Sequence, residues 1–249
     1  MAKPWVVLDR VETDEGPLEL RQRGERDFLI TIGTQVLMNS LNNNSEVILG
    51  QLGCEKLADH PAPRVLVGGL GMGCTLRAVL DCLPPTAEVV VAELNPVVVR
   101  WCQGSLAPLT SGAVNDPRVR VELGDVAALV KRLGKTAPTT FDAVIFDLYR
   151  GPHPKTDSVK DPLYGSRAIA NVRAILKPGG RFVIWGENYD AGFEQRLNSG
   201  GFAARTQRTG RGGYRHVVFI ADCREGQARK VKGDLATKTQ RAPRRSNRF

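Results

Sequence analysis

The chain has 249 residues, of which 42% are hydrophobic and 24% charged. That composition excludes collagen-like, wholly disordered and disulfide-scaffold proteins. No apolar run approaches the roughly 20 residues needed to span a bilayer. The start, MAKPWVVLDRVETDEG, meets acids too early for a signal or transit peptide, so a cytoplasmic protein without a membrane segment is expected.

The net charge of +9 invites a nucleic-acid reading. Residues 224–249, however, hold nine Lys/Arg against two Asp/Glu, a charge of +7, which leaves +2 for the other 223 residues. This stretch has no helical or strand period and too few apolar residues to offset ordering, so it reads as a disordered basic tail. Nucleic acid is an expected partner only through that tail.

Residues 1–44 form short alternating runs (WVVLDRVE, PLELRQRG, DFLITIG, QVLMNS) separated by DEG and RGER, the pattern of an antiparallel β appendage. SEVILGQLGCEKLAD follows as a helix, with Ser45 as N-cap and Val47, Ile48, Leu52 and Leu57 on its apolar face. From residue 64 apolar strand runs alternate with helical periods. Strands are expected at 64–68, 88–93, 119–123, 141–147 and 181–186, and helices near 74–83, 96–106, 126–133 and 164–176. Continuous Val/Ile runs suit parallel strands buried on both faces. AGFEQRLNSGGF is a further helix, and FAARTQR and RHVVFIA close the sheet as a hairpin across TGRGGY. Residues 45–223 therefore predict a doubly wound, mostly parallel seven-stranded α/β sheet.

The five cysteines form no CxxC pair, and three histidines cannot assemble a metal-ligand cluster by spacing. Reduced thiols and no metal are expected.

The first long strand runs into GGLGMGCT, which places Gly69, Gly71 and Gly73 in a strand–helix turn. Glycine permits the sharp turn and the close approach of a ligand. Glu93 ends the next strand, twenty residues past Gly73, where an acid can accept from both ribose hydroxyls. Asp125 ends the third strand, within reach of an adenine amino group. Without a GxGxxG or a phosphate loop, a nucleoside lacking phosphates fits best, and S-adenosylmethionine is the candidate cofactor.

From about Leu18 to Ala221 the chain resembles the spermidine/spermine synthase family, aminopropyltransferases on the class I methyltransferase fold. The matching stretches are the N-terminal β segment, SEVILGQLG, HPAPRVLVGGLGMGCTLRAVL, VVVAELNP, DPRVRVELGDV, FDAVIFDLYRGP and LKPGGRFVIWGEN. A bacterial branch carrying LMNS…SE and GGLGMG is closer still. The resemblance implies that Glu93 binds the ribose, Asp125 the adenine, and Asp147 the amine substrate. It also implies a homodimer.

Three positions depart from the family. Met72 stands where the glycine turn carries an acid, Arg150 replaces the second acid after the fourth strand, and Leu49-Gly50-Gln51 stands at the family's Tyr-(His/Gln)-Glu. A guanidinium in place of a carboxylate repels a dication. The reading from sequence is therefore methyl transfer from S-adenosylmethionine to an N or O nucleophile of a small molecule or peptide. Asp147 and Tyr149 are the candidate catalytic residues, with Asp147 as base or amine anchor. Arg150, His153, Glu187 and Gln51 are the candidate substrate contacts. The alternatives are aminopropyl transfer from decarboxylated S-adenosylmethionine, a non-catalytic nucleoside- or partner-binding protein, and an RNA methyltransferase tethered by the tail.

Overall fold

The computed structural model describes residues 3–153, 158, 160–209 and 216–224. Most of the basic tail and most of the TGRGGY connection lie outside them. Among the described residues no helix is long and apolar enough to cross a membrane. Among the same residues no group of three or more His, Cys, Asp or Glu could hold a metal. All five cysteines are free thiols.

Strands β1 (Val6–Thr13), β2 (Gly16–Arg23), β3 (Asp27–Ile32) and β4 (Gln35–Asn39) form an antiparallel sheet in chain order. Their alternation buries Leu18 and Leu20 of β2 and Phe28 and Ile30 of β3 on one face. That face joins the core of the larger domain. Trp101 also ties the sheet down, its indole N–H donating to Asp9 Oδ2 at 2.8 Å.

Helix α1 (Asn44–Cys54) comes next. Then β5 (Arg64–Gly68), α2 (Cys74–Cys82), β6 (Glu88–Glu93), α3 (Pro96–Gln103), β7 (Val119–Leu123), α4 (Val126–Thr136) and β8 (Phe141–Phe146) alternate. The chain continues through α5 (Ser166–Ile175), β9 (Leu176–Gly186), α6 (Ala191–Ser199), β10 (Phe202–Arg208) and β11 (Val217–Cys223). The seven-stranded order is β10-β11-β9-β8-β5-β6-β7. Pairing is parallel from β9 to β7, whereas β11 runs antiparallel to both β9 and β10.

The apolar strand runs are explained by burial on both faces. Val65 and Val67 of β5 and Val89 and Val91 of β6 point to the side of α1, α2 and α3. Leu66 and Val90 point to the side of α4, α5 and α6, where Phe146, Phe182, Phe193 and Phe219 also pack. Neither face meets water, so no polar alternation is needed.

Helix α1 differs from its sequence reading. It begins two residues early, with Asn43 rather than Ser45 at the N-cap. Its buried residues are Ser45, Glu46, Leu49, Gly50, Gly53 and Cys54, while Val47, Ile48 and Leu52 are only half-buried. The two glycines set this face. A Cβ on Gly50 would lie 2.8 Å from Ala78 Cβ, and one on Gly53 would lie 2.5 Å from Ile145 Cδ1. Close packing on α2 and the sheet outweighs the larger apolar side chains in orienting the helix. Elsewhere the strands sit where expected. The boundaries differ most at β9, which starts five residues early at Leu176, at α4, which runs through Gly134 to Thr136, and at α3, which stops at Gln103, three residues short of 106.

Candidate active site

The carboxyl edge of the parallel strands is stitched by backbone bonds. The amide of Gly69 donates to Ala92 O at 2.9 Å, that of Asp147 to Gly68 O at 2.8 Å, and that of Gly124 to Glu93 O at 2.8 Å. These bonds fix the ends of β5, β6, β7 and β8 relative to one another.

In the turn after β5, Gly69, Gly71 and Gly73 all have positive φ. Gly69 is the most constrained: with φ at +89°, a Cβ there would sit 2.2 Å from the Asp147 carbonyl oxygen. Above Gly71 lies Met38 of β4, whose sulfur accepts from the Met72 amide at 3.2 Å. The appendage thus forms one wall of the turn.

Glu93 is buried, and its two oxygens accept from the amides of Leu70 at 2.9 Å and Asn95 at 2.8 Å. Burial raises its pKa above the usual carboxylate range, and the backbone donors oppose that rise. Asp125 is exposed and caps α4, accepting from the Ala128 amide at 2.7 Å. Three open-φ glycines, a buried acid braced on the turn and a second acid at the next strand end suit a phosphate-free nucleoside.

Asp147 follows β8 and accepts from the Thr75 hydroxyl at 2.6 Å. Its pKa is pushed up to about 7, first by burial and then by the neighbouring Glu46. Glu46 is buried on α1 and accepts from Ser45 Oγ at 2.7 Å. Among the described residues neither acid has an ion-pair partner. The reading from sequence did not single out Glu46 or Thr75, and it gave Ser45 only the role of a helix cap. The adjacent SE of SEVILGQLG was the available signal, but an acid on a helix reads as solvated unless the packing is known.

The loop after β8 is held against β9: a Cβ on Gly151 would lie 2.7 Å from Gly186 Cα. Tyr149 is exposed, and its hydroxyl donates to Glu15 Oε2 at 3.3 Å. Arg150 has a side chain 69% exposed, lies 4.0 Å from the same Glu15 oxygen, and stacks over the Tyr149 ring at 5.0 Å. Glu15, from the β1–β2 turn, was not foreseen. His153 is half-buried at the edge of the described loop. Glu187 is exposed just past β9. Gln51 is exposed and lines a groove between α1 and α2 with Asn43, Arg77 and Asp81. It does not join the Glu46–Thr75–Asp147 cluster.

Two inferences from the family departures need correction. Met72 is fully buried in the core, so its side chain offers no exposed surface to a ligand. Arg150 spends its charge on Glu15 in a solvated setting, where repulsion of a distant cation is weak.

The seven-stranded sheet and its order define a class I methyltransferase-like domain. The spermine/spermidine synthase domain model matches residues 51–194, and the chain belongs to that family. The chain is similar to the polyamine aminopropyltransferase of Mycobacterium tuberculosis, 33% identical over 123 residues, 49% of this chain and 22% of the relative. It is also similar to putrescine N-methyltransferase 4 of Nicotiana tabacum, 34% identical over 125 residues, 50% of this chain and 30% of the relative. The alignments thus span less than a third of either relative. The structure of spermidine synthase from Thermotoga maritima superposes with a TM-score of 0.68 at 20% identity, covering 87% of this chain and 72% of that one.

Proposed function

We propose that the protein transfers an aminopropyl group from decarboxylated S-adenosylmethionine to an amine acceptor. The observation that carries this reading is the burial of Asp147 beside Glu46, two acids with no ion-pair partner among the described residues, in a spermine/spermidine synthase-family chain. An ammonium relieves their mutual repulsion, whereas a neutral or anionic acceptor does not. The names of the curated aminopropyltransferase relatives support it. We prefer it to the methyl-transfer reading because Met72 is buried in the core and Arg150 is a largely exposed side chain 4.0 Å from Glu15, so neither departure argues strongly against an ammonium acceptor.

When bound, decarboxylated S-adenosylmethionine supplies a sulfonium-activated carbon that an amine attacks, leaving a thioether. Gly69, Gly71 and Gly73 keep the turn free of side chains, Glu93 accepts from the ribose hydroxyls, and Asp125 accepts from the adenine amino group. Asp147 takes a proton from the acceptor ammonium and so frees the nitrogen lone pair. An acid with a pKa of about 7 is well matched to that exchange.

Methyl transfer is the second reading, favoured by the similarity to the tobacco putrescine N-methyltransferase. One experiment separates them. The full chain is incubated with putrescine and either decarboxylated or intact S-adenosylmethionine, and the products are identified by mass spectrometry. Spermidine is expected from the decarboxylated donor. N-methylputrescine from the intact donor alone would reverse the choice, and neither product would reject both.

A further inference from the structure

His216 lies just before β11. Its carbonyl oxygen accepts from the Thr209 amide at 2.9 Å, and the Thr209 hydroxyl approaches the same oxygen at 3.2 Å. Its ring meets Trp185 of β9 edge-on, with centroids 4.8 Å apart. Backbone and ring are thus both fixed, and Nδ1 lies 3.1 Å from Ser45 Oγ on α1. Ser45 Oγ donates in turn to Glu46 Oε2 at 2.7 Å.

A hydroxyl carries a single hydrogen. Ser45 gives its hydrogen to Glu46, so the second contact must be supplied by His216, with Nδ1–H donating to the serine oxygen. The donors therefore run in one direction, from β11 through α1 to the Glu46 carboxylate. From there the connection continues to Asp147. The Glu46 charge raises the Asp147 pKa, and the Glu46 carbonyl lies 3.3 Å from the Thr75 hydroxyl that donates to Asp147.

We propose that His216, acting through Ser45, is a positioning residue that holds Glu46 as the second acid of the acceptor-amine site, so that one ammonium meets carboxylates from both α1 and β8. The proposal rests on the aminopropyl-transfer reading. A Glu side chain has three rotatable bonds, and at the start of a helix it can turn to water unless something holds it. The Ser45–His216 chain supplies that hold from an element 171 residues away in sequence. Among the described residues, the charged groups of α2 and β9 are bound to other partners. Cys74 of α2 is a thiol with its pKa raised chiefly by burial. Arg77 of α2 pairs with Asp81 at 2.6 Å, and Arg181 of β9 pairs with Asp222 and Glu55.

The test uses the full chain with Ser45→Ala, Ser45→Thr, His216→Phe, His216→Asn and Glu46→Gln. Asn keeps an N–H donor near the Nδ1 position, and Thr keeps the hydroxyl. Steady-state kinetics with putrescine and decarboxylated S-adenosylmethionine are recorded against pH, and the carboxyl carbons are titrated by 13C NMR without substrate. Ser45→Ala, His216→Phe and Glu46→Gln should each raise the KM for putrescine roughly tenfold. All three should lower the Asp147 titration, by about one pH unit for Glu46→Gln. Ser45→Thr and His216→Asn should restore both values. Unchanged KM and unchanged titration in Ser45→Ala and His216→Phe would overturn the proposal while leaving the reaction intact. If the wild type makes no spermidine, the reaction reading fails and the amine site with it. The carboxyl titration then still decides whether Ser45 and His216 position Glu46.

Discussion

The hydroxyl of Thr75 donates to Asp147 Oδ2 at 2.6 Å, joining the first turn of α2 to the end of β8. The bond favours the ionised carboxylate, and it works against burial and the Glu46 charge, which favour the protonated acid. The Asp147 pKa of about 7 is the balance of these three effects.

Thr75→Val keeps the shape and removes the donor. The Asp147 pKa should rise further, by about one unit for a lost hydrogen bond to a charged group. If Asp147 accepts the amine proton, the acidic limb of kcat/KM moves to higher pH by the same amount. Activity near pH 7 falls several-fold and recovers near pH 9, whereas Thr75→Ser behaves as the wild type. A pH–rate profile checks this, and an unshifted limb would remove Asp147 from the role of base.

The raised pKa also makes a statement about stability. An Asp with a folded-state pKa of about 7 and an ordinary unfolded value near 4 binds more protons when folded throughout the interval between them. The stabilising protonation is fully present below pH 4 and is lost as the pH rises through 7. Asp147→Asn removes the charge that has to be buried, so the variant should be inactive yet more stable than the wild type at pH 8. The gain is at most a few kcal/mol, on the order of 2. At pH 4 the two proteins should melt alike. Thermal unfolding at both pH values tests the sign, and equal destabilisation of the variant at pH 4 and pH 8 would contradict it.

The sheet was legible because its strands are buried on both faces, and burial on both faces is written as uninterrupted apolar runs in 65–67, 89–91 and 143–146. The glycine turn and Glu93 were legible because their chemistry is local to one strand–turn–helix unit. Helix α1 was misread because its buried face is made of Ser45, Glu46, Gly50 and Gly53, which no apolar period reveals. The partners of that face come from α2, β8 and β11, and the contact between Ser45 and His216 exists only after the sheet is complete. Met72 and Arg150 show the complementary difficulty. Sequence position told what had changed but not where the side chains point, and one points into the core while the other meets Glu15.

Among the glycines, Gly69 packs the turn after β5 most closely against Asp147. Its φ of +89° is unfavourable for any L side chain, and an added Cβ would lie 2.2 Å from the Asp147 carbonyl oxygen. Backbone cannot yield as a flexible side chain does, so Gly69→Ala must displace either the turn or the start of the loop that carries Asp147. The expected cost is about 3 kcal/mol or more, combining conformational strain with overpacking. Gly24 supplies the control, because its φ of +67° meets the same conformational objection with nothing within 4 Å of an added Cβ. Gly24→Ala should cost only about 1 kcal/mol and leave transfer untouched. Denaturant unfolding separates the two variants. Gly69→Ala should also weaken both donor binding and amine turnover, because the two halves of the site share that contact. Equal stability losses in the two variants would show that the turn has room to move and that Gly69 serves conformation alone.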